Sequence, residues 1–256
     1  MITIALCQTV KGRRQQAEVA VHKNLVATSD WNRAWVHLHG LSVPFPVKFV
    51  FAIVDFNCPD KTGEFLKERY AGVDPVNVME IKDDILWEFS SMKNCAHRLG
   101  IHLGADYVVN LDIDNLLGHD DLWVLARAAQ TRWITHFWAG DWFDGTCGRI
   151  GMPKDAFLAV GQYHEGLMGG EDCNMLWRLE TRFRKYNCPG IMRFPTSAGA
   201  IRNTLEDSSR LMDPARLDAW RKDREAFKRD TNIPQPRQWI GDLWRGRHAL
   251  TTNICL

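Results

Sequence analysis

The chain has 256 residues, 45% hydrophobic and 25% charged, with a formal net charge of +1, which are the proportions of one globular domain of α/β size and exclude a disordered or fibrous chain. Its longest apolar run, within Phe49–Val54, is far short of the ~20 residues that cross a bilayer, and the N-terminus lacks the three-part pattern of a signal peptide, so a soluble cytoplasmic protein is expected. The near-neutral total conceals an asymmetry of 16 basic against 22 acidic residues up to Trp177 and 16 against 9 from Arg178 onward, which puts the basic end beside something anionic or in solvent.

From Met1 to about Met152, short β-branched apolar runs alternate with longer amphipathic stretches, as in βαβ units around a largely parallel sheet. Strands are predicted at Ile2–Cys7, Lys48–Asp55, Val76–Glu80, Asp106–Asp112 and Trp133–Trp138. The clearest helix is Ile85–Leu99, where Ile85, Phe89, Met92, Ala96 and Leu99 recur at three and four residues behind Asp83 and Asp84. Gly145–Gly170 reads as irregular, and Glu171–Tyr186 as a helix with Met175, Leu176, Leu179 and Phe183 on one side. Asp213-Pro214 supplies an N-cap and first-turn proline for a late helix with Leu217, Trp220, Arg224 and Phe227 on a face, and the chain beyond Asn232 is loop-like. The expected division is an α/β core over 1–190 and a helical and loop extension over 191–256 packed on it. Seven cysteines (Cys7, Cys58, Cys95, Cys147, Cys173, Cys188 and Cys255) are scattered and never form C-x-x-C, so they are expected to be reduced and mostly core filler.

The strongest chemical signal is Tyr107–Asn115, an apolar strand running into Asp112 and Asp114. Period two puts both carboxylates on one side if the extended geometry persists, at the carboxyl end of a strand where open parallel sheets bind ligands. Two hard oxygen donors there suit Mg2+ or Mn2+ against a diphosphate; the same pair also suits a cap of the next turn. The first two strands exit at Thr9-Val10-Lys11-Gly12-Arg13 and Asp55-Phe56-Asn57-Cys58-Pro59-Asp60. Asp55 can accept from a base or ribose donor, and Arg13 or Lys93 can face phosphate. Gly169-Gly170-Glu171-Asp172 opens a helix; its acids either serve the helix dipole or include a general base with room left by the glycines. Trp138 and Trp142 bracket Ala139-Gly140-Asp141, where an indole face can stack on an acceptor, while Trp87, Trp123, Trp177 and Trp220 read as packing residues. His37 and His39 lack a third ligand nearby and read as surface.

Ile2–Arg13, Phe49–Asp60, Ser91-Met92-Lys93-Asn94, Asn110–Asn115 and the run from Gly145 through Gly161-Gln162-Tyr163-His164-Glu165 to Gly170-Glu171-Asp172 together resemble a GT-A fold glycosyltransferase of family 2 type, in that family's order, over about Ile2 to Tyr186. The resemblance implies a metal-dependent, inverting transfer from a nucleotide sugar, with a UDP-sugar as the expected donor. It places the D-x-D metal motif on Asp112 and Asp114, with Asp114 the direct ligand, and nucleotide contacts on Thr9, Arg13, Asp55, Asn57 and Lys93. It places the base motif on Glu171-Asp172, with Asp172 the base, and it suggests His248 as a late metal ligand. Two departures stand out: Gly161-Gln162-Tyr163-His164-Glu165 replaces G-G-[FY]-[DN]-E, and Cys7-Gln8-Thr9 replaces a proline-containing turn.

The expected acceptor is a hydroxyl of a saccharide or glycoconjugate. An alternative is a hydroxymethylated base of DNA, as for some phage enzymes, motivated by Arg221, Lys222, Arg224, Lys228 and Arg229 with Trp239 and Trp244. Interleaved Asp213, Asp218, Asp223, Glu225 and Asp230 favour a solvated helix instead. A further alternative is a nucleotidyltransferase or a non-catalytic nucleotide-sugar binding domain; neither glycine-rich phosphate-loop pattern occurs.

Overall fold

The computed structural model describes residues 1–29, 31, 47–82, 89–138, 148–165, 171–196 and 198–201. Two apolar strands, β1 (Ile2–Val10) and β2 (Val47–Phe56), form its centre. Both are buried on both faces, which is why they read as nearly continuous hydrophobic runs rather than alternating ones. With β3 (Val76–Ile81), β4 (Tyr107–Asn110), β5 (Ile134–Trp138), β6 (Ile150–Pro153) and β7 (Ile191–Pro195) they make a seven-stranded sheet in the order β3-β2-β1-β4-β6-β5-β7. Every pairing is parallel except the two made by β6, which runs antiparallel between β4 and β5.

Helices cover both faces, giving the expected mostly parallel α/β sheet. Even-numbered residues of β1, such as Ile4 and Leu6, pack with α1 (Arg14–Ser29), α2 (Thr62–Arg69) and α4 (His119–Thr131) through Val21, Leu66, Leu122 and Leu125. Odd-numbered Ala5 and Cys7 face α3 (Phe89–His102), α5 (Lys154–Ala159) and α6 (Glu171–Arg182), represented by Met92, Ala96, Phe157, Met175 and Leu179. Cys7, Cys58, Cys95 and Cys188 are free thiols. Among the described residues no helix is long and apolar enough to cross a membrane.

Three differences from the sequence reading bear on the site. The D-x-D strand ends at Asn110, so Asp112 and Asp114 leave the sheet in a turn and do not share a strand face. Part of the stretch read as irregular, Gly145–Gly170, contains β6 and α5; β6 has only four residues, too few for a period to register. The segment assigned to the extension begins with β7, which pairs parallel with β5, so the core continues past residue 190. The third helix was read as Ile85–Leu99; the described part is Phe89–His102, and the Glu171–Tyr186 helix tightens to a 3-10 turn at Phe183–Tyr186.

Helix α3 reaches the sheet at Gly100, where a Cβ would stand 2.7 Å from the Ala5 Cβ and 3.1 Å from the Cys7 Sγ. A side chain there can be housed only by lifting the helix that carries the site's lysine. Gly100→Val is therefore expected to cost about 2 kcal/mol through overpacking, read as a lower midpoint in urea unfolding with an unchanged slope.

Candidate active site

The strand order fixes where a cleft opens. From β1 the chain steps outward to β2 and β3, then α3 crosses to the opposite face and delivers β4 to the other side of β1. The turns leaving β1 and β4 thus diverge at their carboxyl ends, the usual ligand position in such sheets. Because β6 is antiparallel to β4, its entry at Gly148 and Arg149 lies at this same rim. The resulting cleft of about 110 Å3 is lined by Thr9, Lys11, Arg13, Phe89, Lys93, Asp112, Ile113, Glu171 and Asp172.

Its centre is the ammonium of Lys93. The Nζ donates to both oxygens of Asp172 at 2.6 and 2.7 Å and to Glu171 Oε1 at 3.1 Å, and Asp112 Oδ1 stands at 3.7 Å. The Tyr163 ring lies 5.5 Å away. The Lys93 side chain is 4% exposed. Burial by itself would lower the lysine; Asp172, Glu171 and Asp112 outweigh that and hold it well above the usual range. Burial pushes the Asp172 carboxyl up to about 7, with Lys93 opposing and Glu171 and Asp112 adding to the rise.

Two further elements set this cluster. Gly148 passes so close that a Cβ there would be 2.7 Å from Asp172 Oδ2 and 3.3 Å from Asp112 Oδ2, and its carbonyl accepts from Asn110 Nδ2 at 2.7 Å. The neighbouring positions of α3 hold the wall: Asn94 donates to the Tyr163 carbonyl at 3.0 Å and accepts from the Tyr163 N–H at 2.8 Å. One turn on, His97 Nδ1 donates to the Lys93 carbonyl at 2.7 Å and the ring stacks on Phe157. Burial takes His97 down to about 4, so it stays neutral and adds no charge beside the acids.

The second Asp of the D-x-D lies deeper. Asp114 Oδ2 accepts from Arg13 Nη1 at 2.7 Å and Oδ1 from Asn115 Nδ2 at 2.8 Å. Behind Asn115, fully buried Arg149 bonds its Oδ1, the Gly199 carbonyl and Thr196 Oγ1. Asp121, which closes the first turn of α4, lies 3.9 Å from the same guanidinium and accepts from Thr196 Oγ1 at 2.8 Å.

The structure therefore brings Thr9, Arg13, Lys93, Asp112, Glu171 and Asp172 to one cleft, with Asp114 beneath Arg13. Lys93 lies against carboxylates instead of standing open to a phosphate. Asp55 is drawn into the turn before α2, its two oxygens accepting from the Cys58 N–H at 2.9 Å and the Gly63 N–H at 2.6 Å, and exposed Asn57 follows with φ 46°. Neither lines the cleft. Trp142, His37, His39, His248 and the basic run Arg221–Arg229 lie outside the described residues, as does the side chain of Trp138. Sequence reasoning missed Lys11 as a lining residue, Gly148 as the close approach and Arg149 as the buried anchor. Arg149 carried one signal, a lone charge at the mouth of the apolar segment Ile150–Pro153.

A divalent cation fits these residues in one specific way. Among the described residues no group of three or more His, Cys, Asp or Glu side chains is arranged as a metal cage. Mg2+-type ions, however, use one or two carboxylates plus substrate phosphates, and Asp112 with Asp114 is such a donor set.

No protein-family model and no curated protein sequence matches the chain. Its fold is that of solved glycosyltransferases. It superposes on S. aureus TarS, solved with UDP-GlcNAc, at a TM-score of 0.57 and 12% identity over 100% of this chain and 77% of that one. It superposes on a mannosyltransferase from Pyrobaculum calidifontis, solved with GDP-Man and Mn2+, at 0.55 and 14% over 97% and 75%. The expected GT-A architecture is thus the one observed.

Replacing Lys93 removes the cation bonded to Glu171 and Asp172. In Lys93→Met the Asp172 carboxyl, already raised by burial, loses the one cation that opposes the rise, so the folded chain binds more protons there than the unfolded one and stability falls as pH rises through that window. The variant is expected to lose about 3–5 kcal/mol near neutral pH and less at about pH 5, measured by urea unfolding at both; an equal loss at the two pH values contradicts the charge argument.

Proposed function

We propose that this protein is a metal-dependent, inverting glycosyltransferase that moves a sugar from a nucleotide sugar, with UDP as the expected nucleotide, to a hydroxyl of a saccharide or glycoconjugate. The observation that carries this reading is the meeting of Asp112, Glu171 and Asp172 about Lys93 at the carboxyl ends of β1 and β4. Support comes from the fold shared with TarS and the mannosyltransferase, whose solved complexes hold UDP-GlcNAc and GDP-Man with Mn2+.

In this reading Lys11 and Arg13 attract the diphosphate, and Thr9 at the end of β1 borders the nucleotide. Asp112 and Asp114 would hold the divalent cation, which when bound neutralises charge on the departing nucleotide. Asp172 takes the proton from the acceptor hydroxyl as its oxygen forms a bond to the anomeric carbon and the carbon–phosphate-oxygen bond breaks on the opposite face. A carboxylate offers about four acceptor sites, so the two bonds from Lys93 orient Asp172 and leave lone pairs for the acceptor. Glu171, also bonded to Lys93, keeps the ammonium centred between the elements. Trp138 and Trp142 are assigned to the acceptor side and His248 to the metal, as the sequence suggests.

The test is a screen of nucleotide sugars for Mn2+-dependent release of nucleotide with candidate acceptors. Asp172→Asn is expected to bind donor normally and lose about 10²-fold or more in transfer; unchanged transfer removes Asp172 as base. Donor binding with no nucleotide release in the presence of any acceptor would mark a binding domain instead. Because the base must be deprotonated, wild-type transfer should rise with pH through about 7, and a profile flat across that range contradicts the assignment.

A further inference from the structure

We propose that Cys58 and Asp60 are positioning residues for the donor diphosphate: from the turn after β2 they hold two amides of the turn after β1, and that grip sets Lys11 and Arg13 toward the cleft before a ligand arrives. The proposal rests on the reading of Lys11 and Arg13 as the cations that attract the diphosphate and adds what arranges them.

Odd- and even-numbered residues of the turn after β1 serve different ends. Thr9, Lys11 and Arg13 line the cleft. Between and just beyond the two cations, the Gly12 N–H donates to Cys58 Sγ at 2.7 Å and the Arg14 N–H donates to Asp60 Oδ2 at 3.0 Å. Gly12 stands at φ 64°, a left-handed conformation that glycine enters without steric cost. Left without an outside hold, such a turn has more arrangements to give up on binding. Arg14 opens α1, where the first amides have no partner within the helix, and Asp60 supplies one from another segment.

The hold is itself braced. Asp55 fixes the turn after β2 through the Cys58 and Gly63 N–H groups. Asp60 Oδ1 accepts from the Cys58 thiol at 2.9 Å and from the hydroxyl of fully buried Thr62. Burial, with Asp60 as acceptor adding to it, pushes the Cys58 thiol up to about 12. The sulfur therefore keeps its proton at neutral pH and donates it to Asp60 while accepting from Gly12, a two-way bridge that serine can also make and alanine cannot. Cations already held in place forfeit less freedom when a phosphate arrives, and that saving appears as affinity.

The experiment measures UDP binding to the full chain by isothermal titration calorimetry with Mn2+ present, alongside urea midpoints that report folding. Cys58→Ala and Asp60→Ala are each expected to bind UDP about fivefold more weakly than wild type, while Cys58→Ser stays within about twofold of it. In a Lys11→Gln background, where one of the two cations is already gone, Cys58→Ala should weaken UDP binding by only about twofold, a non-additivity that a purely structural contact does not produce. Unchanged affinity in whichever alanine variant folds, a Cys58→Ser as weak as Cys58→Ala, an undiminished loss in the Lys11→Gln background, or failure of both alanine variants to fold overturns the positioning role. The nucleotide reading stands in each of those cases if wild type binds UDP. Wild type that binds no UDP overturns that reading and the positioning role together.

Discussion

Three carboxylates from two segments distant in sequence share one lysine, and the cleft takes its shape from that sharing. Asp112 comes from the turn after β4, Glu171 and Asp172 from the first turn of α6, and Lys93 from the middle of α3. Removing such charges from water costs several kcal/mol each, a cost supportable only where an opposite charge is fixed among them. The ammonium thus ties three elements by electrostatics at a point where apolar packing would leave no room for substrate. It also sets the chemistry, because a carboxyl raised by burial and oriented by a lysine is suited to take a proton near neutral pH.

Topology delivers these groups to one place. The reversal of strand order at β1 separates the turns that follow β1 and β4, and the antiparallel β6 returns the chain to the same rim so that Gly148 can pass against the acids. Helix α3 crosses the face of the sheet at its smallest side chains, Ala5, Cys7 and Ala52. That close approach sets the height of Lys93, Asn94 and His97, three consecutive parts of the cleft wall on one helix face.

The acidic loop is anchored on its buried side. On the buried side, Asn24 donates to the Asn115 carbonyl at 2.8 Å and accepts from the Leu117 N–H at 2.9 Å, while Arg149 binds Asn115, Thr196 and the Gly199 carbonyl. The loop carrying Asp112 and Asp114 is therefore held by α1 on one flank and by Thr196, Gly199 and Ile201 on the other, where Ile201 donates its N–H to the Asp114 carbonyl at 2.7 Å. On the cleft side, partly exposed Lys11 and Arg13 follow β1 on a short turn.

The α/β class, the positions of five strands, the two acidic motifs and the helix that begins at Glu171 are legible in the order of residues, because each rests on local periodicity or on a short run of unlike residues. Met92 and Ala96 on α3, and Met175, Leu176 and Leu179 on α6, are buried as their spacing requires. Which acids meet is set by the fold. Nothing local distinguishes Asp55, whose oxygens close the turn before α2, from Asp112, which faces the cleft; both follow apolar strands. Nor does local pattern mark Lys93 as the shared cation, Arg13 as the partner of Asp114 or Arg149 as a buried anchor, since each acquires its role from a residue 34 to 101 positions away. Periodicity encodes which face of an element is apolar, whereas the pairing of charges depends on the order and direction in which strands are laid side by side.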